Sequence, residues 1–191
     1  MTMLLRILYD PLAYTHASWL QALGLDPSPA LRPAANRLLI HTLGLPLQAS
    51  LSHDDALVQS HVISRWHLLR EAFGLLGALA YRPLLMQHIE ALARPIQRFI
   101  RTPILFPAAL TCPAMHLADA IEPDALSACG QHLARDWIRQ WPVALARRLP
   151  LLSPHIWHTR EHDPPAFFPP PLPPHIVIPA MTLALHHVEN A

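Results

Sequence analysis

The stretch that decides the fold is HVISRWHLLREAFGLLGALAY, residues 61–81. Large apolar side chains recur in it at intervals of four and three residues, at Val62, Trp66, Leu69, Phe73 and Leu76. This spacing puts all five on one face of a helix or of a helix pair, whereas a strand needs a period of two. Gly74 and Gly77 either weaken the helix locally or permit a close helix crossing.

Comparable apolar stripes predict further helices on both sides of this stretch. Their approximate ranges are residues 15–23, 30–43, 83–101 and 123–149, and the central helical region begins near residue 52. Thr15 is placed to cap the first of them, and Gly24 and Gly44 are placed to end the first two. Pro142 falls inside the last stripe and predicts a kink or break there.

Both ends of the chain lack a clear helical period. Residues 4–9 are apolar and short, which predicts a brief strand or an extended arm. Ten of the 22 prolines lie in residues 150–179, which predicts an extended, polyproline-like segment followed by a frayed helical turn or a short strand. The sequence therefore predicts an all-α protein, with a single compact multi-helix domain at residues 1–152 and a Pro-rich extended tail at residues 153–191.

Composition excludes several classes of protein. Of the 191 residues, 52% are hydrophobic and 14% are charged, which suits a packed core rather than disorder. The net charge of +1 does not favour nucleic acid or acidic lipid, and Arg94, Arg98 and Arg101 are better explained as a solvated helix face. Prolines interrupt the uncharged stretch 102–118, and no signal-peptide core precedes it, so a cytoplasmic protein without membrane insertion is expected.

No residue pattern predicts catalysis. The five glycines form neither a phosphate-binding loop nor a nucleophile elbow. The pair Asp54-Asp55 is explained by helix capping, and Cys112 with His116 lacks an orienting acid. Cys112 and Cys129 are too few for a disulfide framework and are expected to be buried thiols. We therefore expect a protein that is not an enzyme and needs no cofactor.

A histidine cluster supports an alternative function. His155, His158 and His162 are spaced by three and four residues, so on a helix they would share a face suited to Zn²⁺ or Ni²⁺. Prolines flank the cluster closely, and a fourth ligand is not evident, although His186-His187 could reach back. Solvated tail histidines are the simpler explanation, and an independent His-rich metal-binding helical protein is the alternative.

Four segments of the chain resemble, in order, the SctK family (YscK and PscK type) of type III secretion systems. The run YDPLAYTHASWL, residues 9–20, is similar to that family's opening Pro-x-x-Tyr-x-His-x-x-Trp-Leu pattern. NRLL with LGL (residues 36–39 and 43–45), the apolar region 68–85 and the closing segment LARRLP (residues 145–150) resemble later parts of the family. The resemblance covers residues 4–152 and leaves the tail unassigned.

The resemblance implies a helical adaptor of the cytoplasmic sorting platform. Such an adaptor joins the cytoplasmic domain of the SctD-type inner-membrane ring protein to the SctQ-type pod protein, which carries the SctL-type stator and the SctN-type ATPase. Arg147, Arg148 and Trp157 are predicted partner contacts, because they are polar or amphipathic groups beside the closing helix. A secretion chaperone fits less well, since those proteins tend to be smaller, acidic and richer in strands.

Overall fold

The protein is built from α-helices, and those between its two ends lie in the regions where apolar stripes predict them. The computed structural model describes residues 2–25, 28–51, 58–103, 122–155 and 168–191, and within these ranges all regular structure is helical. The α-helices are α1 (Met3–Tyr9), α2 (Ala17–Ala22), α3 (Arg32–Thr42), α4 (Leu69–Ala80), α5 (Arg82–Gln87), α6 (Arg94–Arg101), α7 (Pro123–Leu133), α8 (Arg135–Ile138), α9 (Val143–Ala146) and α10 (Pro174–Glu189). The predicted all-α class is confirmed.

Tighter or wider helical turns connect these helices. They are 3₁₀ turns at Pro11–Ala13, Trp66–Leu68, Ile89–Ala91 and Leu149–Leu152, and a π-helical segment at Val58–Ile63. The chain divides into two compact units: unit 1 combines Met1–His67 with Arg139–Glu161, and unit 2 combines Leu68–Ile138 with His162–Ala191.

Unit 1 packs its helices around a buried tryptophan. Trp19 of α2 forms a core cluster with Leu39 of α3, Leu45 and Leu151. The Trp19 indole Nε1 donates a 2.9 Å hydrogen bond to the Ser153 carbonyl, so the only polar atom of its ring is paired inside the core. This bond ties the closing segment of the unit to its second helix.

Residues 3–9 form a helix, so the predicted strand or arm was wrong. Thr2 has extended backbone geometry and its hydroxyl accepts a 3.4 Å hydrogen bond from the Leu5 N–H, which satisfies one donor of the first turn. Ile7 and Leu8 are buried, and the helix ends at the Asp10-Pro11 turn. Seven residues span too few turns to reveal a helical period in the sequence.

Capping and stopping residues fix the ends of α2 and α3. The predicted cap Thr15 instead donates its hydroxyl to the Pro11 carbonyl, and the His16 Nδ1 accepts the Ser18 N–H at the start of α2. Gly24 and Gly44 adopt φ angles of 63° and 56°, in the left-handed region that glycine tolerates best. Both glycines therefore end their helices as predicted.

Unit 2 is built on α4, whose predicted inward residues Leu69, Phe73 and Leu76 are fully buried. A Cβ atom added at Gly77 would overlap the Leu126 carbonyl of α7, and one added at Gly130 would overlap the Phe73 carbonyl. The two helices therefore cross with their backbones in contact, as the pair of glycines in α4 allowed.

The C-terminal segment contradicts the prediction of an extended tail. Residues 169–173 lack regular structure, but α10 follows them and packs against α4, α6 and α8. Its buried residues recur at helical spacing: Val177, Ala180, Met181, Ala184 and Leu185. Pro174 lies in the first turn, and Pro179 lies within the helix, where burial of the apolar face offsets the lost backbone hydrogen bond.

The contacts also group the chain differently from the predicted division at residue 152. The His155 N–H donates to the Ser18 hydroxyl at 2.8 Å, which attaches residues just past that boundary to unit 1. The Leu172 N–H donates to the Leu133 carbonyl at 2.9 Å, which attaches the segment before α10 to the end of α7. The described residues near the start of the predicted tail therefore pack in unit 1, and those from Leu172 onward pack in unit 2.

Candidate partner-binding surfaces

Arg148 lies inside unit 1 rather than on its surface. Its exposed fraction is 0%, and its guanidinium donates to three main-chain carbonyls: Nε to Ile7 at 3.2 Å, Nη1 to Ala144 at 2.8 Å and Nη2 to Leu8 at 2.8 Å. Two of these carbonyls belong to the last turn of α1, where no intrahelical donor reaches them. A cation is also favoured at the negative end of the helix dipole.

Tyr14 completes this buried polar cluster. Its hydroxyl donates a 2.7 Å hydrogen bond to the Ile7 carbonyl, and its ring meets Trp66 edge to face with centroids 5.5 Å apart. Burial raises the pKa of Tyr14 well above its ordinary value, and burial lowers the pKa of Arg148 while the neighbouring Tyr14 opposes that shift. The phenol stays protonated, and the guanidinium keeps its charge.

The geometry separates the three predicted partner contacts. Arg148 is withdrawn from the surface, contrary to the prediction, because the carbonyls of α1 and α9 need its donors. Arg147 is exposed and donates a long 3.3 Å hydrogen bond from Nη1 to the Gly44 carbonyl. Trp157 lies outside the described residues. Adjacent arginines in one sequence motif therefore have different roles, and only Arg147 is available to another protein.

A polar network joins the end of α1 to α3. The Asp10 carboxylate accepts two hydrogen bonds from Arg32, at 3.0 Å from Nε and 2.7 Å from Nη2. Asn36 is buried; its amide donates to Asp10 Oδ1 at 2.8 Å, and its oxygen accepts the Leu12 N–H at 3.0 Å. The network fixes the distance between the two helices, because every member bonds in a defined direction.

Asp10, Arg32 and Asn36 of this network are among the residues that line a surface groove of about 720 Å³. One wall carries Tyr9, and the α3 wall carries Pro33, Arg37 and Ile40, with Leu47 beyond them. Tyr9 is 49% exposed and Leu47 is 40% exposed. We call this feature the α1–α3 groove; it combines apolar side chains with arginines, as protein-binding surfaces do.

The Asp10 network predicts an acid-sensitive element in unit 1. Hydrogen bonding to Arg32 lowers the pKa of Asp10, against the opposing effect of burial and with help from Asn36. A lowered folded-state pKa contributes stability above the unfolded pKa of about 3.9, and that contribution disappears as the pH falls through the folded value. The wild-type protein should therefore lose more unfolding free energy than Asp10→Asn between about pH 5 and pH 3.

Urea unfolding at both pH values, followed by circular dichroism, measures this difference. Asp124→Asn is the matched control, because it also removes a carboxylate that pairs with an arginine, Arg70 in unit 2. Equal acid sensitivity of the wild type and Asp10→Asn would contradict the assignment of the effect to this network.

Unit 2 carries its own smaller groove, of about 330 Å³. Apolar residues of α4, α6, α7 and α10 line most of it, including Leu75, Ile96, Leu126 and Val188. Arg70, which pairs with Asp124, lies at its edge. Each unit thus has a separate concave surface built from its own helices.

The predicted metal cluster is only partly described. His155 packs its ring against Trp19, with centroids 4.4 Å apart, which is the position of a core neighbour. His158 and His162 lie outside the described residues. Within the described ranges, no group of three or more histidine, cysteine, aspartate or glutamate side chains is placed to hold a metal ion. The metal-binding alternative stays a prediction.

The remaining candidates for chemistry lie mostly beyond the described residues. Asp54, Asp55, Cys112 and His116 all fall there. Cys129 is fully buried in α7, as expected of a core cysteine. Four of the five tryptophans are also buried, as their apolar stripes predicted: Trp19, Trp66, Trp137 and Trp141.

Comparison with models of known protein families assigns the chain to one of them. A family model described as "Bacterial type III secretion apparatus protein (OrgA_MxiK)" matches residues 4–190, nearly the whole chain. The chain belongs to this family. The family is of the SctK type, which confirms the resemblance seen in the sequence. No curated protein and no solved structure matches the chain significantly.

The match extends the family region of this SctK-type protein beyond the sequence resemblance. That resemblance ended at residue 152, whereas the family model continues to residue 190 and so includes α10. Family membership and packing therefore agree that the C-terminal helix is part of the apparatus protein. No helix in the described ranges has both the length and the apolar character needed to cross a membrane.

Proposed function

We propose that this SctK-type protein is a non-enzymatic adaptor of the type III secretion sorting platform. It joins the cytoplasmic domain of the SctD-type ring protein to the SctQ-type pod protein, on the cytoplasmic side of the inner membrane. Through the pod protein it connects indirectly to the SctL-type stator and the SctN-type ATPase. Its mechanism is scaffolding by shape-complementary contact, with no cofactor.

The family match over residues 4–190 carries this proposal. Two further observations support an adaptor that meets two other proteins. The chain forms two compact units, and each has a surface groove of its own. Among the described residues, six of the seven large apolar side chains that are prominently exposed belong to unit 1: Leu5, Tyr9, Leu31, Leu38, Leu47 and Val143.

Arg147 and Trp157 remain the proposed contacts with the pod protein. Arg147 is exposed beside the Gly44 turn, so its charge can reach another protein without unfolding unit 1. Trp157 follows the closing segment in sequence, and a tryptophan supplies a large contact area with a polar edge. Arg148 is left out of the proposed contact, because its guanidinium is committed to carbonyls of unit 1.

Purified tagged protein is expected to bind both the pod protein and the ring cytoplasmic domain. Deleting its gene should stop secretion while leaving the membrane rings intact. The double variant Arg147→Ala, Trp157→Ala should weaken pod binding by about tenfold or more, because a central interface side chain contributes more than about 1.4 kcal/mol. Titration of immobilised pod protein measures the affinity.

Arg94→Ala is the matched control for this titration, because it also removes an exposed arginine, on α6 in unit 2. It should leave the affinity unchanged within about twofold. Failure of the wild-type protein to bind either the pod or the ring protein would overturn the adaptor proposal. Pod binding that the double variant leaves intact would overturn the assigned contact residues alone.

A further inference from the structure

The α1–α3 groove lies in the unit that has an excess of positive charge. Asp10 is the only acidic side chain among the described residues of unit 1, against seven arginines. Over the full units, unit 1 has eight arginines and five acidic residues, whereas unit 2 has six arginines and eight acidic residues. The described residues of unit 1 therefore carry an excess of positive charge even when the buried Arg148 is left out, whereas the charge balance of unit 2 is acidic.

The charge of Asp10, the one acidic side chain in the described part of unit 1, is already neutralised. Asp10 is bound by both nitrogens of the Arg32 fork and by Asn36, so its charge is not available to attract a basic group. Arg37 is exposed on the α3 wall and forms no ion pair with a described residue. Arg6 is exposed as well. The hydrogen bond from Arg32 is the main cause of the lowered pKa of Asp10, and the positive charge of Arg6 is a smaller one. Arg37 in the groove lining and Arg6 near Asp10 therefore supply two positive charges that no acidic side chain in the described ranges pairs with.

Apolar side chains lie beside these charges. Tyr9 is about half exposed on one wall, while Ile40 and Leu47 line the opposite side. An exposed aromatic ring within a groove is the type of group that anchors protein interfaces. Arg37 and Arg6 without a series of aromatic rings do not suit a nucleic-acid strand, whose bases need stacking partners.

We propose that the α1–α3 groove binds an acidic, amphipathic segment of another protein of the secretion machine. Aliphatic side chains of that segment contact Tyr9, Ile40 and Leu47, and its carboxylates pair with Arg37 and Arg6. The Asp10–Arg32–Asn36 network holds the two walls in place before binding, so little conformational entropy is lost in forming the groove. The inference deepens the adaptor proposal and rests on it for the source of the segment.

Site-specific photocrosslinking tests the inference in cells that assemble the machine. The photoreactive residue p-benzoylphenylalanine replaces Tyr9, and mass spectrometry then identifies the crosslinked peptide and its sequence. We expect an adduct with a segment of another component in which acidic residues outnumber basic ones and aliphatic residues recur at helical spacing. The same photoreactive residue at Leu38, which is exposed on α3 but does not line the groove, is the matched control.

Affinity measurements then test the charges, with the captured component purified for titration. Arg37→Glu should weaken its binding by about tenfold or more, and raising NaCl from about 50 mM to about 300 mM should weaken wild-type binding several-fold. Arg94→Glu, at an exposed arginine of α6 in unit 2, should change the affinity by less than about twofold. Circular dichroism confirms that each variant is folded.

Several results would overturn the groove inference. One is the absence of any adduct at position 9, and another is an adduct with the same chain, with a second copy of it or with nucleic acid. A crosslinked segment without an excess of acidic residues would also contradict the inference, as would an affinity that Arg37→Glu leaves unchanged. The adaptor proposal can fail separately. Capture of an acidic segment from a component other than the pod or ring protein would support the groove inference and contradict the assigned partners. Binding of the wild-type protein to the pod and ring proteins without an adduct at position 9 would support the adaptor proposal and contradict the groove inference.

Discussion

Replacing Arg148 by methionine is expected to lower the free energy of unfolding by about 3–4 kcal/mol. Methionine fills a similar volume but donates nothing, so the carbonyls of Leu8 and Ala144 are left buried without a donor. The Ile7 carbonyl keeps the Tyr14 hydroxyl. Each orphaned acceptor costs about 1–3 kcal/mol, which is a large part of the roughly 5–15 kcal/mol that stabilises a domain.

Arg147→Met is the matched control for this loss. It makes the same chemical change one position earlier, at an exposed side chain with one long hydrogen bond, and should change stability by less than about 0.5 kcal/mol. Urea unfolding followed by tryptophan fluorescence measures both variants. A loss of stability that is equal in the two variants would show that Arg148 is not the buried donor described here.

Placing alanine at Gly77 or Gly130 is expected to cost about 3 kcal/mol at each position. Either Cβ would overlap a main-chain carbonyl of the facing helix, and backbone cannot turn aside as a flexible side chain does. The helices α4 and α7 must then move apart and lose packing along their whole contact. The gain of about 1 kcal/mol in helix propensity from Gly to Ala is too small to compensate.

Gly74→Ala separates this steric effect from helix propensity. Gly74 lies one turn from Gly77 in the same helix, but the nearest atom to its added Cβ is the Pro123 carbonyl oxygen at 4.0 Å. This variant should therefore be neutral or more stable, by up to about 1 kcal/mol. Thermal unfolding of the three single variants measures the contrast, and destabilisation of all three to a similar degree would refute the close crossing.

The sequence was informative wherever an apolar stripe was long enough to show its period. Leu69, Phe73 and Leu76 were assigned to the inward face of α4, and all three are fully buried. Gly24 and Gly44 were assigned as helix stops, and both have positive φ. These features depend on local spacing and backbone freedom, which are properties of neighbouring residues.

The two terminal helices were missed for different physical reasons. Helix α1 has only seven residues, so its apolar run is equally compatible with a strand. Helix α10 was hidden by its proline content, although its apolar residues are spaced at three and four. A proline in the first turn costs nothing, and tertiary packing outweighs the cost of the interior one.

The candidate surfaces depended on contacts that no sequence motif records. Arg147 and Arg148 are adjacent and chemically identical, but the second is buried because carbonyls about 140 positions earlier in the chain need donors. The α1–α3 groove likewise arises from Asp10, Arg32 and Asn36, which are distant in sequence and meet only after folding. The type of side chain predicts that these groups make polar contacts, but the tertiary structure decides whether each contact lies inside the unit or on its surface.

The discontinuity of unit 1 has a consequence for how the protein is made. The carbonyls at the end of α1 receive their charged donors from Arg148, and Trp19 is paired by Ser153, so the first helices leave the ribosome long before the residues that complete them. During synthesis these early helices cannot reach their final stability, and their apolar faces stay accessible to molecular chaperones. Unit 1 therefore completes its folding only when most of the polypeptide has been translated.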